Sequence, residues 1–214
     1  MASSGITIFD VGANKGQSIG FFKEIYPKSK VFAFEPSEKT FDSLMKFVKV
    51  NSYQDVSIFQ IGIGDIQGTI NFYESALDES STFVLPNEDS QYLKKKNRIL
   101  LQRSEDSFHA TTAQITTLDK FIFEKQIDHV DILKIDVEGF EFEVLLGAQN
   151  ALSKGKIGVI QLERHTDDMR EDRYAVIHAY LLENGFTWIQ EVKHPFGNFR
   201  ELLYQGTKAA FRDF

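Results

Sequence analysis

The chain has 214 residues, enough for one well-buried α/β domain and short for two, so a single domain over residues 1–214 is expected. Its formal net charge of −7 argues against a general nucleic-acid binder, and no apolar run approaches the roughly 20 residues of a membrane span. With no cysteine there is no disulfide framework, no thiol nucleophile and no Cys-based zinc site, which fits a reducing, cytoplasmic setting.

No signal-peptide pattern precedes the first apolar run, Ile6–Phe9, and a strand so close to the start suggests a domain cut from a longer chain. The run leads into Asp10-Val11-Gly12-Ala13-Asn14-Lys15-Gly16-Gln17. A segment with helical spacing follows, with Ile19, Phe22, Ile25 and Tyr26, and stops at Pro27. A buried strand that turns through glycines into a helix makes a cradle for a small ligand. Gly12 and Gly16 allow positive φ and close backbone approach, and a helix start offers unpaired N–H groups. Lys30–Phe34 reads as a second strand, followed by Glu35-Pro36. An acid about 20 residues after the turn is where Rossmann-like folds hold a ribose.

Ser37 is a candidate N-cap for a helix carrying Phe41, Leu44, Met45 and Val48. Val56–Ile63 reads as strand three, Gly64-Asp65 as a turn and Gly68–Tyr73 as a short hairpin arm. Residues 75–112 show little periodicity and are expected to form a long excursion or lid over the mouth of the site. Their basic run, Lys94-Lys95-Lys96-Asn97-Arg98, is expected to be a solvated face rather than an anion site. Leu118, Phe121 and Ile122 then suggest a short helix, and Asp131–Asp136 a central strand. A helix burying Val144, Leu145 and Ala148 follows, then a strand at Ile157–Leu162 ending in Glu163-Arg164-His165. A last helix presents Tyr174, Ile177 and Leu181 on one face and stops at Gly185. Phe186–Glu191 and Glu201–Gln205, joined through His194-Pro195-Phe196-Gly197-Asn198, read as a closing hairpin. The alternation of strands and helices predicts an α/β fold on a mostly parallel sheet.

In open α/β sheets the ligand lies outside the carboxyl ends of the strands. Asp10, Glu35, Asp65, Asp136, Glu138, Glu163 and His165 all fall at or just beyond predicted strand ends. Any one of them alone reads as a solvated polar residue; together they mark a rim. Glu35 is expected to accept bonds from two ribose hydroxyls, and the glycine turn to receive an amino-acid or phosphate group through its N–H donors. A nicotinamide dinucleotide prefers G-x-G-x-x-G, whereas here Gly12 is followed by Ala13-Asn14 and the next glycine is Gly16. That pattern supports a pyrophosphate poorly and favours a ligand without phosphate, such as S-adenosylmethionine. The cofactor contacts expected from the chain are Asp10, Gly12, Ala13, Asn14, Gly16, Gln17, Ser18, Glu35, Pro36, Ile63, Asp65 and Asp136.

The segments Ile8-Phe9-Asp10-Val11-Gly12-Ala13-Asn14-Lys15-Gly16, Phe34-Glu35-Pro36, Thr117-Leu118-Asp119 and Leu133-Lys134-Ile135-Asp136-Val137-Glu138-Gly139 resemble FkbM-type methyltransferases. So does Glu141 followed by Val144-Leu145-Leu146-Gly147-Ala148. The likeness runs from about Ile6 to His165. It implies a Rossmann-like class I methyltransferase fold with a seven-stranded sheet and helices on both faces. It also implies S-adenosylmethionine as methyl donor and a hydroxyl acceptor, often on a sugar or a polyketide. Residues 75–112 and the closing hairpin match nothing in that pattern, and they are the parts expected to choose a small-molecule or glycan acceptor.

An alcohol is a poor nucleophile near neutral pH, so a general base or an acidifying cation is expected beside the acceptor. His165, Asp136, Glu138 and Lys134 are the catalytic candidates, with His165 preferred as base. A divalent cation on Asp136, Glu138 and Glu163 is the less favoured route, because Lys134 would repel it, and no metal ligand is assigned. Two other readings stay open. One is a nicotinamide-dependent oxidoreductase, which lacks the Tyr/Lys or His/Asp pair it would need. The other is a non-catalytic module of a glycan-assembling protein.

Overall fold

The computed structural model describes residues 5–75, 81–85, 87, 89–91, 94, 95, 98, 108–166, 172–193 and 199–207. In chain order these form β1 (Thr7–Val11), α1 (Gln17–Ile25), β2 (Lys30–Phe34), α2 (Glu38–Val50), β3 (Val56–Phe59), β4 (Gly62–Ile63), β5 (Gly68–Ser75) and β6 (Phe108–Thr116). Then come α3 (Leu118–Glu124), β7 (Val130–Ile135), α4 (Glu141–Leu146), α5 (Gln149–Ser153), β8 (Ile157–His165), α6 (Tyr174–Glu183), β9 (Phe186–Lys193) and β10 (Phe199–Gly206).

Seven strands form the main sheet in the order β3-β2-β1-β7-β8-β10-β9. All its pairings are parallel except those of β10, which runs antiparallel to β8 and β9. The topological switch lies between β1 and β7, and the ends of these two strands carry Asp10 and Asp136. Burial on both faces explains the near-continuous apolar runs of β1 and β7. Phe9, Val11, Leu133 and Ile135 face one core with Phe121 of α3, Val144 of α4 and Leu181 of α6. Ile8, Val31 and Ala33 face the other, with Ile19 and Phe22 of α1 and Leu44 of α2. The expected class I architecture, with helices on both faces, is what the chain adopts. Among the described residues no helix is long and apolar enough to cross a membrane.

Local chemistry sets the helix starts. Ser37 caps α2 by accepting from the Thr40 N–H, and Thr117 caps α3 by accepting from the Lys120 N–H. The helix expected across Val144–Ala148 is broken into α4 and α5. A Cβ at Gly147 would lie 1.9 Å from the Gly64 carbonyl oxygen, so only glycine admits this crossing. Asp119 then accepts from the N–H groups of Asn150 and Ala151 at 2.7 and 2.8 Å, capping α5 from a neighbouring helix. The Thr117-Leu118-Asp119 and Leu146-Gly147-Ala148 motifs are thus a structural clasp.

The third strand differs from expectation. Val56–Phe59 stays in the main sheet, but Gly62-Ile63 leaves it for a second sheet of order β4-β6-β5. The arm expected at Gly68–Tyr73 extends to Ser75 and pairs with Phe108–Ile115, so the far end of the 75–112 excursion is regular strand. Lys94 is half-exposed and pairs with Asp89 at 2.9 Å, as a solvated face would. Lys96, Asn97 and the hairpin connection 194–198 lie outside the described residues.

Candidate active site

Gly12 has φ +82°, and a Cβ there would stand 1.8 Å from the Asp136 carbonyl oxygen. Glycine is required because the turn after β1 is pressed against the end of β7. Four of the turn's N–H groups are spent within the protein. Gly12 and Ala13 both donate to the Phe34 carbonyl at 3.0 Å, Gly16 donates to Ala13, and Asn14 donates to Glu35 Oε2 at 3.0 Å. The turn supplies shape, and α1 begins beside it with no capping side chain on Gly16.

Glu35 is buried and receives one backbone N–H on each oxygen, from Asn14 and from Ser37 at 2.9 Å. Each oxygen keeps a second lone pair. Burial pushes the carboxyl up to about 7, against those two hydrogen bonds. Asp10 is fully buried; burial raises its carboxyl too, opposed by Lys134 and by the Ser18 hydroxyl that donates to Oδ2 at 2.5 Å. Its Oδ1 accepts no hydrogen bond among the described residues. Spare lone pairs on Glu35 and an orphaned acceptor on Asp10 fit a ligand that brings hydroxyl and ammonium donors, as S-adenosylmethionine does.

Register brings the charged groups together. Asp10, Lys134 and Gln161 are paired across β1, β7 and β8, so their side chains share one row. Lys134 Nζ binds Asp136 Oδ2 at 2.9 Å and lies 3.8 Å from Asp10 Oδ1. Burial alone would lower the ammonium, but the charges of Asp136 and Asp10 outweigh it and hold Lys134 above its ordinary range. Glu163 and His165 alternate on β8 and so share a face. His165 Nε2 is 3.2 Å from Glu138 Oε2 and 3.2 Å from Glu163 Oε1. Glu138 reaches this place from a left-handed backbone, φ +57°, fixed by the Thr82 hydroxyl donating to its carbonyl at 2.8 Å.

Two clefts adjoin at this row. One, of about 660 Å³, holds Gly12, Asn14, Glu35, Pro36, Ile63, Asp136, Glu138 and Glu163. The other, wider, holds Gly12, Ala13, Asn14, Gln17, Ser18, Lys134, Asp136 and Glu163. Most of the expected cofactor contacts line one cleft or the other; Asp10 lines neither, and His165 lines a separate cleft that shares Glu163 with them. Gly16 is buried behind the turn against Phe47, and Asp65 sits in an exposed turn lining neither cleft. Sequence reasoning missed Phe72, Ser81, Thr82 and Phe83 in the first cleft and Gln161, Phe199 and Glu201 in the second. Gln161 was findable, since it precedes Glu163 and His165 at period two. Phe72 and Glu201 sit on strands that were read, but their place in a cleft depends on pairings distant in the chain, and Ser81, Thr82 and Phe83 come from a segment with no local pattern.

Loss of the Glu35 carboxylate has two measurable consequences. Glu35→Ala should weaken binding of S-adenosylhomocysteine by roughly 1–3 kcal/mol in calorimetry. In the wild type that affinity should fall as pH drops below about 7, where free Glu35 holds a proton. Stability moves the opposite way. Folded Glu35 keeps its proton to about pH 7 and the unfolded chain releases it near 4.5, so stability is lost as pH rises through that window. The loss is roughly 3 kcal/mol and should be missing from denaturation curves of Glu35→Ala.

Residues 10–187 match the family model of the methyltransferase FkbM domain. Among curated proteins, Methyltransferase 1 of Beauveria bassiana is 27% identical over 143 residues, 65% of this chain and 57% of that protein. The hexuronic acid methyltransferase AglP of Haloferax volcanii is 26% identical over 163 residues, 75% of this chain and 57% of that one. The chain thus spans somewhat more than half the length of these relatives. The crystal structure of methyltransferase FkbM from Methylobacillus flagellatus KT superposes with a TM-score of 0.63 at 15% identity, covering 96% of this chain and 44% of that one. A Streptococcus pneumoniae methyltransferase, Sp1610, solved with S-adenosyl-L-methionine, shares the fold at a TM-score of 0.53 and 14% identity, covering 98% and 70%. With its matched domain, sheet order and buried Glu35 cradle in agreement, the chain belongs to the FkbM methyltransferase family, with S-adenosylmethionine as cofactor.

Proposed function

We propose that this chain is an O-methyltransferase acting on a hydroxyl of a saccharide. The carrying observation is the cleft that joins Glu35 at one end to Asp136, Glu138 and Glu163 at the other. A ribose acceptor and a proton-accepting cluster share one channel. When bound, the cofactor supplies an electrophilic methyl on its sulfonium. The protein's part is to hold, align and deprotonate. Glu35 and Asp10 accept the cofactor's donors, and Lys134 holds Asp136 in place by its 2.9 Å bond. The acceptor hydroxyl is aligned with the methyl carbon, and its proton passes to the cluster in which Glu138 and His165 are the two groups able to take it.

A saccharide is favoured for three reasons. The rim is polar and hydrogen-bonding, the net charge of −7 disfavours polyanionic nucleic acid, and one relative bears the name of a hexuronic acid methyltransferase. Ser81, Thr82 and Phe83, from the 75–112 excursion, line the cleft and are suited to choosing the acceptor. The cysteine-free composition fits work in the cytoplasm. The test is mass spectrometry of products after incubation with S-adenosylmethionine and a panel of uronic-acid and deoxyhexose glycans. A mono-methylated glycan is the expected result. Methylation of protein or RNA, with none of any saccharide, would overturn the reading.

A further inference from the structure

We propose that Asp136, Glu163 and His165 bind one divalent cation of the hard class, Mg²⁺ or Mn²⁺, where the two clefts meet. Among the described residues these are the one set of three His, Asp or Glu side chains whose ligand atoms all lie within 4.8 Å of one another. Donors on a common ion at roughly 2.1–2.4 Å stand roughly 3–4.8 Å apart, so the spacing is that of a shared ion. The two carboxylates suit Mg²⁺ or Mn²⁺, and the imidazole inclines the set to Mn²⁺, which takes nitrogen more readily than Mg²⁺ does.

The supports are rigid. Glu163 and His165 are alternate residues of β8, paired with Glu201 and Phe199 of β10 just beyond the last β7 pairing at Leu162, and Asp136 directly follows β7. Lys134 does not forbid the ion, because it binds only Oδ2 of Asp136 and leaves the other oxygen.

Asp136 and Glu163 line both clefts, so positions on the ion not filled by protein face the space for cofactor and acceptor. An acceptor hydroxyl held there is acidified. Its proton leaves to the Glu138 carboxylate, the new O–CH₃ bond forms as the methyl–sulfur bond breaks, and the sulfonium becomes a thioether. His165 is then a ligand and Glu138 the base. This role in turnover rests on the methyl-transfer reading; the binding of the ion does not.

The experiment is calorimetric titration of the EDTA-stripped chain with Mn²⁺ alone, in wild type, Glu163→Gln and His165→Asn, with circular dichroism to check folding. One Mn²⁺ per wild-type chain is expected, weakened ~10-fold or more in either folded variant. S-adenosylhomocysteine affinity should change by less than about threefold in both, the readout that a general loss of structure would move. No Mn²⁺ binding at millimolar concentration, or binding that both variants retain in full, overturns the site. Full turnover on a glycan by the stripped chain would overturn the ion's role in turnover while leaving the proposed function standing. Mn²⁺ binding lost in the variants, with no glycan methylated, would support the site and sink the function instead.

Discussion

His165→Ala should lower kcat by roughly 10²–10⁴ while leaving cofactor affinity nearly unchanged. The expectation follows from position. Its Nε2 lies 3.2 Å from both Glu138 and Glu163, and Glu163 is shared with the clefts that hold the turn and Glu35. None of the contacts of Glu35 or Asp10 involves His165, so the cofactor's anchors are untouched. Single-turnover kinetics with saturating S-adenosylmethionine would check it. A rise in KM with unchanged kcat would instead place His165 in acceptor binding alone. Added Mn²⁺ separates the two roles still allowed: partial recovery marks a ligand whose loss weakened the ion, and no recovery marks a base.

Lys134→Met should destabilise the fold by roughly 3–5 kcal/mol, the range for removing one partner from a buried charge pair. Lys134 is the ammonium within 4 Å of both Asp10 and Asp136, at 3.8 and 2.9 Å, and its side chain is 13% exposed. Without it two carboxylates face each other across β1 and β7 in an environment that already pushes Asp10 upward by burial. Urea denaturation at neutral pH would measure the loss. Pairing the change with Asp136→Asn should recover part of it, because one of the stranded charges is then gone. A loss below about 1 kcal/mol would mean that Asp10 simply takes up a proton and that the pair is not what holds the row together.

Most of the main sheet was legible because it is locally determined. Lys30–Phe34 and the Ser37 cap were read at the positions observed, since an apolar parallel strand and a Ser N-cap each announce themselves within a few residues. Asp10, Glu35 and Asp136 were legible as well, because polar groups at strand ends of an open α/β sheet have one common destination. Strand three was drawn too long because Ile61 to Ile63 continues the apolar run of Val56–Phe59. Only the pairing of Gly62 and Ile63 with Ile115 and Thr116, over fifty residues later, shows the change of sheet. The glycine turn was recognised, but not that Phe34 accepts from Gly12 and Ala13 across strands, which no spacing rule encodes. Phe83 was invisible for the same reason. Its place against Phe72 and Phe140 is set by tertiary packing in a segment without periodicity.

The small sheet is joined to the large one by side-chain tethers: Ser37 to Glu74, Thr82 to the Glu138 carbonyl, Ile63 in the main core, and the tilted rings of Phe72, Phe83 and Phe140. Among the described residues no strand ladder crosses between the two sheets. Heritable variation can therefore accumulate in the small sheet and its excursion without disturbing the parallel register that fixes Asp10, Glu35 and Asp136. Such an architecture is modular in the sense that matters for divergence: the large sheet is buried and constrained, and the excursion of the small one, to which the proposed function gives the acceptor, is freer to be rewritten as long as Ile63, Thr82 and Ser37 keep their places.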